Sequence, residues 1–198
     1  MMREPATATL ASTLWPSRAP LRLVRAAMLM IGGTLLLAAS AKAQVPFYPV
    51  PMTLQTLAVL AVAAAYGARL AGATLLLYLG EGLAGLPVFA GAGAGPGYMA
   101  GPTGGFLVGF LAAAALVGWL AERGWGRSAP RLVGAMLLGQ IALYSLGVAW
   151  LASFIGLDKA WRFGVLPFLF ADAVKTLLAA ALIGAVARAL TRAPSDEA

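Results

Sequence analysis

The sequence of 198 residues contains no cysteine and no histidine. These absences exclude disulfides, thiolate or imidazole metal sites, and catalytic systems of the Ser-His-Asp or Cys-His type. Carboxylates are also scarce: of the seven Asp and Glu residues, Glu4, Glu122, Asp196 and Glu197 fall in the predicted tails or loops. A paired-metal site built on clustered carboxylates is therefore not expected. We predict a protein that binds or transports, without enzymatic activity and without a cofactor.

Charge is the second scarce property of this chain. Only 11% of the residues are charged and 61% are hydrophobic, whereas about a quarter of the residues of an ordinary soluble domain are charged. So few charged residues cannot cover a soluble core, and we predict an integral membrane protein whose surface contacts the lipid bilayer. The net charge of +7 comes without the interleaved basic and aromatic residues of a nucleic-acid-binding surface, so no nucleic-acid partner is expected.

Apolar runs separated by Arg, Pro or Gly predict an all-α membrane protein with six transmembrane helices. The candidate spans are 22–43, 52–67, 70–86, 104–121, 131–155 and 165–188. The second and third spans are short, and only Tyr66-Gly67-Ala68-Arg69 separates them. One long kinked span is the alternative, but at 1.5 Å per residue about 35 residues would exceed the hydrocarbon thickness.

The basic residues give these spans an orientation. Six spans place ten of the 14 Lys and Arg residues on one side and three on the other, namely Lys42, Lys159 and Arg162, with Lys175 inside a span. This asymmetry follows the positive-inside rule with both termini cytoplasmic. The predicted organisation is a cytoplasmic tail at 1–20, a six-helix transmembrane domain at 21–190 and a cytoplasmic tail at 191–198. The expected location is the cytoplasmic (inner) membrane of a bacterium.

The first candidate span has a second interpretation. The basic residues of 18–25, the apolar stretch 26–39 and Ala41-Lys42-Ala43 before Gln44 resemble a secretory signal peptide with its cleavage site. The run 21–43 is nevertheless long enough to span a membrane. Charge counting does not separate the two interpretations, because cleavage would leave the orientation of the later spans unchanged.

A glycine-rich segment at 85–105 connects the third and fourth spans. It contains eight of the chain's 24 glycines and no charged residue. Such a composition is typical of a flexible surface connection. The apolar side chains Phe89, Tyr98 and Met99 indicate instead a gate that closes over a ligand, because glycines let a backbone fold tightly and approach a ligand closely.

Polar residues inside the spans are few and fall near the outer side. Asp172 and Lys175 lie three residues apart in the sixth span and share a helix face. They form either a structural ion pair or a ligand site, since an intramembrane charge is a functional-site hypothesis by default. Glu81 in the third span is hydrogen-bonded, paired with a cation such as Lys175, or a proton relay.

The entry to the second span contributes further polar groups. Three prolines predict an extended outer loop, with Pro51 opening the helix and Thr53, Gln55 and Thr56 in its first turns. These side chains form hydrogen bonds between helices or line the same outer pocket. Together, the polar residues and the glycine-rich cover describe an outward-facing pocket for a small ligand with both donor and acceptor needs.

Four ordered motifs resemble the BioY family, the biotin-specific S components of energy-coupling-factor (ECF) transporters. The motifs are Pro-Val-Pro-Met-Thr-Leu-Gln-Thr at 49–56, Tyr-Leu-x-x-Gly-x-x-Gly-Leu-Pro-Val-Phe-Ala-Gly at 78–91, Gly-Pro-Thr-Gly-Gly-Phe-Leu-x-Gly-Phe at 101–110, and Pro-Phe-x-x-x-Asp-x-x-Lys at 167–175. The resemblance covers roughly residues 25–188. It implies six transmembrane helices, capture of biotin from the outside, and partnership with a transmembrane coupling subunit and ATP-binding subunits.

The resemblance also gives the polar residues a ligand. Biotin has a ureido group with two N–H donors and a carbonyl, an apolar body and a carboxylate, so Asp172 is suited to accept from the ureido group and Lys175 to donate. Gln55 or Glu81 completes the polar set. The aromatic residues expected to cover the rings are Tyr78, Phe89 and Tyr98.

Three other functions stay open at this stage. An S component for another small vitamin would need the same kind of pocket, and a proton-coupled secondary transporter would use Glu81 as its carrier. An intramembrane enzyme would need Glu81 and Asp172 as acid and base. The chain has no Gly-x-x-x-x-Gly-Lys-Ser/Thr motif, so any ATP hydrolysis must come from partners.

Overall fold

The structure is a computed structural model that describes residues 9–10 and 21–192, and in these ranges the chain is mostly helical. The helices are α1 (Leu21–Lys42), α2 (Gln55–Tyr66), α3 (Ala68–Leu83), α4 (Gly95–Met99), α5 (Gly104–Glu122), α6 (Ala129–Ile155), α7 (Leu157–Gly164) and α8 (Leu169–Arg192), with a 3-10 turn at Trp125–Arg127. Two short strands, β1 (Gln44–Val45) and β2 (Met52–Thr53), pair antiparallel. The predicted tails, 1–20 and 191–198, lie largely outside the described residues.

Four of the described helices are long and apolar enough to cross a membrane, namely α1, α5, α6 and the Leu169–Ala189 part of α8. Large apolar side chains such as Leu23 and Phe170 are exposed on their outer faces, which is favourable when lipid is the solvent. The prediction of a helical membrane protein is therefore confirmed. Helices α2 and α3 have 12 and 16 residues and are shorter than the roughly 17–25 residues of a usual span.

Gly67 separates α2 from α3 and reverses the chain direction. Its φ of 80° lies in the region that favours glycine. Gln55 in the first turn of α2 donates a 2.7 Å hydrogen bond to the Tyr78 hydroxyl of α3 across a separation of 23 residues, which one straight helix would stretch to about 35 Å. The alternative of one long kinked helix is therefore wrong, and α2 and α3 are separate, antiparallel helices.

Two helices begin later than the prolines predict. The sequence places the start of α2 at Pro51, but Met52 and Thr53 pair with β1 and the helix begins at Gln55. The Thr53 hydroxyl accepts a 3.2 Å hydrogen bond from the Gln55 backbone N–H, which satisfies a donor at the helix start. Similarly, α8 begins at Leu169, two residues after Pro167.

Helix α7 was not predicted. It is an eight-residue amphipathic helix between α6 and α8, and its charged residues read in the sequence as a polar loop. Asp158 and Arg162 form an exposed ion pair on its surface, with 3.1 Å between Asp158 Oδ2 and Arg162 Nε. Charged side chains one turn apart can support a short helix in this way.

Helix α1 packs into the bundle core. Leu37 and Ala41 are fully buried, and the Tyr66 hydroxyl of α2 donates a 2.9 Å hydrogen bond to the Leu29 carbonyl. Gly33 approaches Thr74 of α3 so closely that a Cβ at Gly33 would lie 2.6 Å from the threonine methyl group. The first candidate span is thus an integral helix of the described fold.

The bundle has two distinct ends. At the upper end, defined as the end where α2, α5 and α8 begin, the cavity described below opens. At the lower end α5 finishes beside the start of α3, where the Glu122 carboxylate accepts a 3.0 Å hydrogen bond from the Ala68 backbone N–H. Between the two ends the helices are closely packed. A Cβ at Gly109 of α5 would lie 2.7 Å from the Leu143 carbonyl oxygen of α6, as is usual where small residues bring membrane helices together.

Candidate ligand-binding site

A cavity lies between the helices at the upper end, and the space inside it that the centre of a water molecule can reach is about 40 Å³. Its apolar wall is made by Val50, Pro51, Ala90, Phe106, Leu107, Phe110, Leu143, Gly164 and Phe168. Its polar wall is made by Thr53, Gln55, Thr56, Tyr98, Thr103, Tyr144, Asp172 and Lys175. An apolar enclosure with a few placed polar groups is the usual composition of a ligand pocket.

Asp172 and Lys175 form a buried ion pair in this wall, which is one of the two alternatives left open by the sequence. Lys175 Nζ lies 2.7 Å from Asp172 Oδ1, and the two residues are 2% and 6% exposed. The pair satisfies one of the three ammonium donors of Lys175. Each carboxylate oxygen accepts more than one hydrogen bond, so both groups retain capacity toward a molecule in the cavity.

Two residues of α6 complete the surroundings of Asp172, and neither was predicted from the sequence. The Tyr144 hydroxyl donates a 2.6 Å hydrogen bond to Asp172 Oδ2. Gln140 Nε2 donates to the Thr176 hydroxyl at 2.7 Å and to the Asp172 carbonyl at 3.3 Å. Gln140 and Tyr144 are four residues apart, so they share one helix face. Two polar residues at that spacing in an apolar span form a sequence pattern from which this polar helix face could have been predicted.

Gln55 lines the cavity, and Tyr78 lies behind Gln55, outside the cavity wall. The Tyr78 side chain is fully buried, accepts a 2.7 Å hydrogen bond from Gln55 Nε2 and donates one of 2.9 Å to the Val88 carbonyl. Tyr78 therefore orients the Gln55 amide and does not itself line the cavity. This is a supporting position and not the ring-covering position that was expected.

Phe89 also lies behind the cavity wall. It is fully buried and packs edge-on to Tyr78, with ring centroids 5.5 Å apart, and stacks on Tyr98 at 5.3 Å. Gly82 makes room for it, because a Cβ there would lie 2.0 Å from the phenyl ring. Of these aromatic residues Tyr98 reaches the cavity. Burial raises the pKa of the Tyr98 phenol above its ordinary value of 10.0, so its hydroxyl keeps its proton at neutral pH.

Glu81 is not brought to the cavity. It is half-buried on α3, one position before Gly82, and it is absent from the cavity wall. Lys175 points instead to Asp172, so the considered Glu81–Lys175 pairing does not form. Within residues 9–10 and 21–192, no group of three or more acidic residues is placed to hold a metal ion.

The site brings several polar groups to one apolar space. A carboxylate, an ammonium group, a phenol and an amide face one enclosed, largely apolar space at the upper end of a helical membrane bundle. Charge-assisted hydrogen bonds in such a space are strong and directional. These features define a membrane protein with a binding pocket for a small, mixed polar and apolar ligand.

Comparison with known proteins agrees with this class. The model of the BioY family matches residues 7–192, and the chain belongs to the BioY family. It is 37% identical to the probable biotin transporter BioY of Pyrococcus horikoshii over 139 residues, covering 70% of this chain and 82% of that protein. It is 35% identical to the biotin transporter BioY2 of Lactococcus lactis subsp. cremoris over 161 residues, covering 80% and 88%.

A solved structure has the same fold. The crystal structure of the S-component for biotin from an ECF-type ABC transporter superposes with a TM-score of 0.78 at 23% identity, covering 87% of this chain and 95% of that one. The resemblance to an S-component bundle predicted from the motifs is thus confirmed at the level of fold. Membership in the family confirms a transport protein rather than an enzyme.

Proposed function

We propose that this chain binds biotin and takes it up across the membrane as the substrate-specific subunit of an ECF-type transporter. The observation that carries the proposal is the buried Asp172–Lys175 pair in the wall of a largely apolar cavity. The relatives named as biotin transporters and the biotin S-component of the same fold support the identity of the ligand.

The cavity has groups that match each part of biotin. Asp172 accepts hydrogen bonds from the ureido N–H groups, and the spare donors of Lys175 bind the ureido carbonyl or the carboxylate. Gln55 offers a further amide, which Tyr78 holds in place. The apolar wall encloses the ring and the aliphatic chain. Of the seven residues predicted for the site, we propose Gln55, Tyr98, Asp172 and Lys175 as ligand contacts and Tyr78 and Phe89 as their support.

We propose that transport requires a transmembrane coupling subunit and ATP-binding subunits in the cytoplasmic membrane of a bacterium. The chain itself carries no phosphate-binding loop motif, so ATP hydrolysis must come from another chain. The likeness in fold to the S-component of an ECF-type ABC transporter supports the same division of labour.

The decisive experiment is isothermal titration of biotin into the purified protein in detergent. We expect saturable heat with one site per chain. Titration of another vitamin, such as thiamine or riboflavin, is the matched control and is expected to give no saturable heat. Absence of biotin binding by monodisperse protein would overturn the proposal, and saturable binding of the control vitamin in place of biotin would favour the other S-component function.

We also propose that α1, α2, α3, α5, α6 and α8 each cross the membrane, with the upper end outside and the region 21–190 forming one transmembrane domain. The ten basic residues on the predicted cytoplasmic side include Arg69 and Arg123. These two residues adjoin the lower-end contact of Ala68 with Glu122. The positive-inside rule therefore predicts that the lower end faces the cytoplasm. The packing of α1 in the core supports its retention as a span.

Single cysteines test this topology, because the natural chain has none. Gly97→Cys and Gly126→Cys lie on either side of α5, and neither added Cβ meets an atom closer than 3.9 Å. We expect a membrane-impermeant maleimide on intact cells to label position 97, and position 126 only after permeabilisation.

The short helix α2 is tested in the same way. Tyr48→Cys and Arg69→Cys flank it, and both positions are exposed. Position 48 is expected to react like position 97, and position 69 like position 126. Labelling of positions 48 and 69 from the same side would show that α2 does not cross.

A further inference from the structure

Lys42, at the C-terminal end of α1, binds the glycine-rich segment through its ammonium group. Its Nζ donates hydrogen bonds to the carbonyl oxygens of Pro87, Phe89 (2.8 Å) and Gly91 (2.6 Å). An ammonium group has three N–H donors, so the loop uses all of them. The three acceptors are alternate residues of one segment, and together they form a backbone cradle around a single cation.

The segment held in this way forms part of the cavity wall. Ala90 lines the cavity, and the carbonyls of its two neighbours, Phe89 and Gly91, are both bound to Lys42. The Phe89 ring stacks on Tyr98, which also lines the cavity. A displacement of this loop would therefore move two residues of the wall.

The Tyr78 hydroxyl also donates a hydrogen bond to the Val88 carbonyl of this segment, and Lys42 adds a charged contact that the segment cannot supply itself. Residues 85–105 contain no charged side chain, and Gly91 has a positive φ of 61°, which permits the turn closed by the hydrogen bond from the Gly93 N–H to the Ala90 carbonyl. A backbone rich in glycine loses more conformational entropy on ordering than other sequences do. A charge-assisted contact from outside the loop offsets part of that cost.

We infer that Lys42 is a positioning residue for the ligand pocket: it holds residues 87–91 against the bundle and so slows the release of the bound ligand. The inference rests on the proposed function for the identity of the ligand, whereas the contact itself is independent of it. Lys42 does not line the cavity, so its effect passes through Ala90, Phe89 and Tyr98.

The test compares Lys42→Met with Lys159→Met in the full-length protein. The chain has three lysines, and Lys159 is an exposed residue on α7, so it controls for loss of one positive charge. The first measurement is hydrogen–deuterium exchange of the amides of 85–94 without ligand. We expect faster exchange in Lys42→Met and unchanged exchange in Lys159→Met.

The second measurement is the rate of release of radiolabelled biotin. Loss of hydrogen bonds to a charged group predicts about a tenfold faster release in Lys42→Met, with a smaller change in the association rate. Lys42→Arg keeps the charge and several donors, and we expect it to restore most of the slow release. If Lys42→Met is not monodisperse, Lys42→Gln takes its place.

The outcomes distinguish the positioning role of Lys42 from the proposed function. Unchanged loop exchange in Lys42→Met would overturn the inference and leave biotin binding untouched. Faster exchange with an unchanged release rate would equally overturn the positioning role. If the natural chain binds no biotin and Lys42→Met still exchanges faster, the proposed function would be contradicted. The contact of Lys42 with residues 87–91 would still be supported.

Discussion

Replacing Asp172 by alanine is expected to weaken biotin binding at least about 100-fold, which is close to 3 kcal/mol. The substitution removes the carboxylate proposed to accept from the ureido group. It also leaves the Lys175 ammonium, in a residue only 6% exposed, without its partner, and removing one partner of a buried pair costs ~3–5 kcal/mol. Isothermal titration measures the affinity, and thermal unfolding in the same detergent measures the stability.

The chain contains its own control for this experiment. Asp158 and Arg162 also form an ion pair within one helix turn, but their side chains are 76% and 67% exposed. Asp158→Ala changes the net charge by the same amount, and an exposed pair contributes only about 0–1 kcal/mol. We expect it to bind biotin like the natural chain. Natural affinity in Asp172→Ala would return the buried pair to a purely structural role.

Replacing Phe89 by alanine is expected to lower the free energy of unfolding by ~3–5 kcal/mol, the usual cost of truncating a buried aromatic residue. Phe89 is 0% exposed and lies between Tyr78 and Tyr98. Its removal opens a void behind the cavity wall and frees the Tyr98 ring, so biotin affinity is expected to fall as well. Denaturation in detergent and titration with biotin measure the two effects.

Phe170→Ala is the matched control, because Phe170 is 83% exposed on α8. Surface substitutions usually change stability by less than about 0.5 kcal/mol. Phe89→Leu tests the cavity argument further, since a smaller change in volume is better tolerated. Equal losses in Phe89→Ala and Phe170→Ala would show that the aromatic stack behind the wall does not support the site.

The residues proposed for the site differ in whether the neighbouring sequence alone reveals them. Asp172 and Lys175 were predictable because charges inside an apolar span are costly and therefore conspicuous, and their spacing of three residues already placed them on one face. Tyr144 was not singled out, although it lies four residues after Gln140 in an otherwise apolar span. Its hydrogen bond to Asp172 joins residues 28 positions apart in the sequence, and only the packing of α6 against α8 creates it.

Glu81 illustrates the opposite error. Glu81 and Asp172 were both predicted near the outer side, and this position alone suggested a shared pocket. A helix presents side chains in all directions, so residues at one depth meet only when the rotation of each helix also agrees. The structure turns Tyr78 and Gly82 of α3 inward and leaves Glu81 half-buried outside the cavity wall.

The sequence by itself determined the membrane environment, the helical fold class and the shared helix face of Asp172 and Lys175. Each depends on composition or on spacing within one helix, where hydrophobic burial and helix periodicity act locally. Only the tertiary structure shows which residues share the cavity. It also shows that Tyr78 and Phe89 lie behind the cavity wall and that Lys42 binds the backbone carbonyls of the glycine-rich segment. Those contacts join distant parts of the chain, and they depend on the relative rotation and approach of helices, which a linear pattern does not encode.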